Sequence, residues 1–204
     1  MMISIFFPDV IIFKVFPSGY DQLYTTHGFK NREVFPAVYA LLTARIEAIY
    51  ERFLQDIIAL KPGMLPVLLV VDFELAAIRA FQDTFPTATV NGCMFYFGQC
   101  RRRLQSHGLS GRYRDEPDFA LRTKCLLALA FVLPTDIIRV YESLIADLTY
   151  HDLDAVCDYM EDNFIGRERR GARGYPRFQI ELWNQYSRVI ANLQQQQQQL
   201  RGMA

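Results

Sequence analysis

Four cysteines and three histidines in 204 residues are too few for a disulfide scaffold, and free thiols in a reducing compartment are the expected state. The chain also lacks any excess of one charge sign. Lysine plus arginine number 22 and aspartate plus glutamate number 22, so the formal net charge is zero. That balance excludes a uniformly basic nucleic-acid binder but leaves room for a local basic patch. No apolar run reaches the roughly 18 residues that a membrane helix needs. No internal repeat is visible. The apolar start, Met1 to Phe16, has no basic leader and is broken by Pro8 and Asp9. It reads as a strand rather than a secretory signal, and the expected location is nuclear or cytoplasmic, not secreted. What is abundant is hydrophobic residues, at 51%, against 22% charged, enough for a sizeable core in a chain of this length.

The first half alternates between strand and helix patterns. Val10 to Phe16 and Tyr20 to Thr26 are β-branched and aromatic, separated by the turn signal Pro17-Ser18-Gly19. Glu33 to Leu42 follows as a third strand, in which Pro36 suits an edge or a bulge. Three strands with short loops predict an antiparallel meander. Ala44 to Leu60 then carries Ile46, Ile49, Tyr50, Phe53, Leu54, Ile57 and Leu60 on one helical stripe, closed by Lys61-Pro62-Gly63. Met64 to Val71 is a continuous apolar run, the mark of a strand buried on both faces. A helix over Glu74 to Phe85, a strand over Ala88 to Phe97 and a helix over Gln99 to His107 complete this half. The second half reads as helices at Asp118–Leu133, Asp136–Leu148, Asp152–Asn163 and Phe178–Leu193. The fold expectation is α/β, a ribonuclease H-like mixed sheet with an all-helical insertion and a C-terminal helix. The expected division is a core over 1–107, the helical part over 108–193 and a glutamine-rich tail over 194–204.

Asp72 is the leading candidate for chemistry, because it ends a buried strand, where α/β sheets gather ligand and catalytic groups. A carboxylate there suits a Mg²⁺ or Mn²⁺ ion, which takes oxygen ligands. The competing reading is an N-cap for the helix that begins near Glu74. A two-metal site needs further carboxylates; Asp9 lies just before the first strand, and Glu74 is two residues on. Glu74 reads equally as an acid favoured at a helix start. Cys93 and Cys100 form a C-x6-C pair without a nearby histidine, which is not a zinc spacing, and buried thiols are the better reading. The basic residues cluster. Arg101-Arg102-Arg103 lead to Arg112 and Arg114, and the stretch Gly166 to Arg177 holds Arg167, Arg169, Arg170, Arg173 and Arg177 among glycines, with Tyr175 available for stacking. An arginine loop of this kind suits phosphate. The alternative is a solvated loop paired with the acids of Glu161-Asp162 beside it.

The stretches Gln22-Leu23-Tyr24-Thr25-Thr26-His27-Gly28, Val34 to Thr43, Asp72-Phe73-Glu74 with Ala76-Ala77, Phe85-Pro86 and Gly92-Cys93 resemble the catalytic core of Mutator-like element (MULE) transposases. Tyr113-Arg114, Ala128 to Phe131, Ile165-Gly166-Arg167 and Glu181-Leu182-Trp183-Asn184 resemble the family's helical region. The resemblance implies a ribonuclease H-like fold, three acids that bind two Mg²⁺ or Mn²⁺ ions, and DNA as the partner and substrate of transposition. Asp72 matches the second of those acids. Val10 stands where the family has the first, and Asp9 is one residue off, on the opposite strand face unless a bulge corrects it. Tyr96 replaces the histidine of the family's Cys-x-x-His pair, and glutamines follow where the third acid is expected. The resulting expectation is a transposase-derived domain that is catalytically inactive alone. The alternative is a non-catalytic module that binds DNA through the arginine loop, or a partner protein through the helical half.

Overall fold

Gln22–Lys30 (β2), buried continuously from Tyr24 to Gly28, and the more exposed Glu33–Leu42 (β3) form an antiparallel pair in the computed structural model, with Gln22 opposite Leu42 and Lys30 opposite Glu33. The register shifts between Thr26 and His27, which face Val38 and Pro36. Pro36 lies at this irregularity on an edge strand, where its missing N–H costs no ladder bond. Ile3–Phe6 (β1) pairs antiparallel with β2 and parallel with Pro66–Val71 (β4), and Thr89–Gly92 (β5) adds in parallel beyond it. The sheet order is β3-β2-β1-β4-β5.

The structure describes residues 3–6, 17–30, 33–98, 101–146 and 153–190. The strand expected over Val10 to Phe16, the candidate ligand Asp9 and the tail 194–204 lie outside them. The chain divides into two compact units between Cys93 and Met94.

In the first unit, Glu47–Leu60 (α1) and Leu75–Thr84 (α2) pack against each other. Of the stripe read in the sequence, Tyr50, Phe53, Leu54 and Ile57 are buried and meet Ala77, Ile78, Ala80 and Phe81 from α2 in the core, while Ile46 and Leu60 at its two ends are exposed. Tyr24 of β2 is fully enclosed, edge-on to Tyr50 at 5.3 Å and to Phe53 at 5.4 Å between ring centroids. Each such large apolar side chain contributes about 1.5–3 kcal/mol on burial. The mixed α/β character and the strand–helix order of this half match the sequence-based expectation.

The second unit is mostly helical: Met94–Phe97 (α3), Arg101–Ser106 (α4), Ser110–Asp115 (α5), Pro117–Ala128 (α6), Ile137–Ala146 (α7), Asp154–Met160 (α8), Ile180–Trp183 (α9) and Tyr186–Ile190 (α10). Three expectations need correction here. The strand predicted over Ala88 to Phe97 stops at Gly92, and Met94–Phe97 turns into a short helix. The single helix predicted over Phe178 to Leu193 is broken at Asn184, whose backbone is extended. There the Asn184 carboxamide accepts from the Tyr186 N–H and donates to the Val132 carbonyl, so the side chain competes with the helix for its backbone. The helix predicted over Asp152 to Asn163 changes to π-helical winding over Glu161–Ile165 before Gly166 ends it.

Candidate functional site

The β4 run buries Leu69, Val70 and Val71 completely and delivers Asp72 to the end of the strand, still only 7% exposed. Asp72 lies two residues before the N-cap position of α2. The N-cap position of α2 belongs to Glu74, in extended conformation, and no side-chain cap bond forms there. Glu74 is committed elsewhere. Its carboxylate and the Tyr50 phenol share a hydrogen bond, and Gln22 Nε2 donates to the same phenol oxygen at 2.6 Å.

Topology explains why these residues converge. β1 and β4 run parallel, and β2 runs against β1, so the start of β2 and the end of β4 lie at the same end of the sheet. Gln22 is the first residue of β2, and Asp72 directly follows β4. Tyr50 reaches this end from the buried stripe of α1. Burial pushes the Tyr50 phenol far above its ordinary range; the Gln22 bond opposes this, and the nearby charges of Glu74 and Asp72 add to it. The phenol therefore stays neutral and serves as a hydrogen-bond relay from Gln22 to Glu74. Gln22 is 2% exposed, and its carbonyl Oε1 is buried with no hydrogen-bond partner. Sequence reading did not single out Gln22 or Tyr50. The one available signal was a tyrosine, apolar in body and polar at its tip, on an otherwise apolar helical stripe.

The arginine stretch folds in the second unit as a β-hairpin, Glu168–Arg169 (β6) against Ala172–Arg173 (β7), rather than as an open loop. Arg170 and Gly171 form its two-residue turn with φ of 55° and 78°, the positive values that a tight hairpin turn requires. The five candidate arginines divide by environment. Arg167 is bonded to Asp162 and, at 3.0 Å, to Asp158; these acids and its bonds hold its pKa above the usual range. Arg173, 13% exposed in its side chain, reaches Glu142 at 3.1 Å, Glu161 at 3.2 Å and the Gly166 carbonyl at 2.8 Å, and lies over the Tyr141 ring. Arg177 lies over the Phe178 ring. Arg169 and Arg170 are exposed near the turn, and Tyr175 is 94% exposed. A cavity of about 470 Å³ opens beside them, lined by Glu161, Asp162, Arg167, Arg169, Arg173 and Tyr175 among others.

Two other features bear on chemistry. Cys93 is a buried free thiol, and burial, with the Asp154 and Glu161 charges, pushes the Cys157 thiol up to about 11, which leaves it unreactive at neutral pH. Cys100 lies outside the described residues. Glu47 and Glu51, one helical turn apart on α1, approach Asp83 of α2 with carboxylate oxygens within 4.8 Å of one another. This partly exposed cluster was legible only as an i, i+4 pair, and Arg79 stands 4.0 Å from Glu47.

The comparison with known families finds a match over the larger part of the first unit. Residues 20–99 match the MULE transposase domain. No curated protein and no solved structure matches the chain. The MULE match takes in Gln22, Tyr50, Asp72 and Glu74, and leaves the arginine hairpin outside it. It supports a transposase-derived origin, and a MULE transposase domain implies divalent metal ions in general and DNA as the interacting molecule. Among the described residues, no helix is long and apolar enough to cross a membrane.

Proposed function

We propose that this chain is a MULE transposase-derived domain of ribonuclease H-like fold, whose ancestral reaction is metal-dependent DNA strand cleavage and transfer, and that it no longer performs that reaction alone. The observation that carries the reading is the buried Asp72 at the end of the central parallel strand, inside the matched segment. The strand order β3-β2-β1-β4-β5, an antiparallel meander followed by two parallel strands, supports the ribonuclease H-like assignment.

Loss of catalysis rests on the sequence at the first acid position. Val10 offers no oxygen to a metal, and two ions about 3.5–4 Å apart need several bridging carboxylates to offset their charge. Mg²⁺ or Mn²⁺ remains the fitting ion for Asp72, because both take hard oxygen ligands. When bound, such an ion polarises a phosphoryl oxygen; Asp72 contributes the negative charge that holds it.

The retained activity in this reading is DNA binding. Arg169, Arg170 and Tyr175 favour it, because they stay exposed on one hairpin while Arg167 and Arg173 are tied to acids. Guanidinium groups supply phosphate contacts, and an exposed tyrosine ring supplies a stacking surface. The test uses the purified chain with labelled duplex and nicked DNA. Binding should weaken steeply with salt and be lost in the double variant Arg169→Ala/Arg170→Ala, with no strand cut in Mn²⁺. Cleavage or joining of any end overturns the claim of inactivity. Salt-independent binding, or binding untouched by the double variant, overturns the role of the hairpin.

A further inference from the structure

The cavity beside the arginine hairpin combines groups that a phosphate site alone would not assemble. Its volume of about 470 Å³ lies within the range of small-molecule sites. Of its lining arginines, Arg167 is neutralised by Asp162 and Asp158, and Arg173 by Glu142 and Glu161. Asp162 is occupied in turn, since both its carboxylate oxygens accept from Arg167. Glu161 is different. Its Oε1 accepts from Arg173 at 3.2 Å, and among the described residues no hydrogen bond reaches Oε2, although the side chain is only 20% exposed. The lining therefore offers a carboxylate oxygen with room for a donor, which repels a phosphate and suits an amino group. Tyr175, which lines the same cavity, is 94% exposed and stacks on no ring of the described residues. A flat aromatic face thus stands open to solvent. Arg169, also in the lining, is exposed and bonded to no acid among the described residues.

We propose that this cavity takes one unpaired nucleotide of a DNA strand: its base stacks on Tyr175, an amino group on the base edge donates to Glu161 Oε2, and its phosphate meets Arg169. Stacking needs a bare base face, which a duplex hides between neighbouring pairs, so the ligand class is a single-stranded tail, a gap or an extruded base. A duplex groove presents amino donors but no face. Adenine, cytosine and guanine each carry an exocyclic amino group, whereas thymine carries none and would turn carbonyl oxygens toward the carboxylate. The cavity therefore discriminates against thymine. Stacking on Tyr175 accepts any base, and Glu161 sorts them. Arg173 is a positioning residue, because its bond to Oε1 fixes the Glu161 carboxylate and leaves Oε2 for the base. This inference rests on the reading that the hairpin binds DNA and narrows it to an unpaired strand; it is independent of Asp72 and of any metal ion.

Fluorescence anisotropy of the purified chain with three labelled DNAs tests this: a blunt duplex, and the same duplex extended by about six unpaired cytidines or by about six unpaired thymidines. The cytidine-tailed duplex should bind about fivefold or more tighter than the blunt one. It should also bind about threefold or more tighter than the thymidine-tailed one. Tyr175→Ala should bring the tailed-to-blunt affinity ratio to about one, and Tyr175→Phe should keep the wild-type ratio. At 94% exposure neither change disturbs folding. Glu161→Gln keeps an acceptor for Arg173 and offers an amide donor to the cavity, so the preference for cytidine over thymidine should vanish or reverse. Equal binding of tailed and blunt DNA by the wild-type chain, with both lost in Arg169→Ala/Arg170→Ala, overturns the nucleotide site and leaves the hairpin reading intact. A tail preference that does not distinguish cytidine from thymidine overturns the role of Glu161. Absence of binding to all three DNAs refutes the hairpin reading itself, and the nucleotide site with it.

Discussion

Gly166 faces the backbone of Gly174 so closely that a β-carbon on Gly166 would collide with the Gly174 carbonyl oxygen. Its φ of 89° also lies where side chains are strained. This contact closes the arginine hairpin onto the π-helical turn. The Gly166 N–H donates to the Glu161 carbonyl at 2.8 Å, and the Gly174 N–H to the Arg167 carbonyl at 2.9 Å. Gly166→Ala is therefore expected to lower stability by about 3 kcal/mol or more, from steric collision and backbone strain together. Gly171 has φ of 78° but open space around it, so Gly171→Ala should cost only about 1 kcal/mol. Urea unfolding followed by the fluorescence of Trp183, the one tryptophan, measures both. Equal losses would show that crowding at Gly174 contributes nothing.

The arginines of this hairpin should separate into two classes on mutation. Arg173 holds two acids and a backbone carbonyl from a side chain that is 13% exposed, so Arg173→Ala strips partners from Glu142, Glu161 and Gly166 together. A loss of about 2–3 kcal/mol is expected, since part of each contact remains open to water. Arg169→Ala, on the exposed strand, should change stability by less than about 0.5 kcal/mol. In DNA binding the order should invert. An Arg173 variant that folds normally and loses only DNA affinity would place Arg173 at the interface instead of in the scaffold.

The sequence carried the strand–helix order of the first unit because each element there has a single strong period. Leu69 to Val71 are apolar without interruption, and the Tyr50–Phe53–Leu54–Ile57 stripe repeats at helical spacing. Asp72 was legible for the same reason, as the first polar residue after a buried strand. The relay was not. Gln22 and Tyr50 lie 28 residues apart, and only the antiparallel turn of β2 against β1 brings them to the end of β4. The break at Asn184 was hidden as well, because a carboxamide that bonds Val132, 52 residues away, leaves no local signal. The arginine stretch was read correctly in composition, but its sorting into tied and exposed residues depends on Glu142, 31 residues before Arg173.

His27 should make stability depend on pH near neutrality. The side chain is 8% exposed, its Nδ1 has no hydrogen-bond partner, and burial lowers its pKa below the ordinary 6.5. The unfolded chain then takes up a proton at a pH where the folded chain does not. This contribution is complete above about pH 6.5 and is lost progressively as pH falls toward the folded pKa. The urea midpoint should drop between pH 7.5 and 5.5 in the wild-type chain, and His27→Gln should flatten that part of the profile. An unchanged slope in the variant would assign the acid sensitivity to other groups.

The aromatic core of the second unit gives the last expectation. Phe97 lies flat against Trp183, with ring centroids 4.9 Å apart at an interplanar angle of 10°, and Phe164 meets both rings edge-on. All three side chains are essentially fully buried, so Phe97→Ala should cost about 3–5 kcal/mol through lost contact and a residual cavity. Trp183 differs from its neighbours in one respect: its indole N–H is buried without an acceptor. Trp183→Phe loses ring area but also removes that unsatisfied donor, which is worth about 1–3 kcal/mol in the opposite direction. The two terms should nearly cancel, leaving a net loss well below that of Phe97→Ala. Helical circular dichroism during thermal unfolding measures both variants, since the fluorescent residue is itself replaced. A Trp183→Phe loss as large as that of Phe97→Ala would mean the indole N–H is satisfied in solution, by an ordered water inside the core.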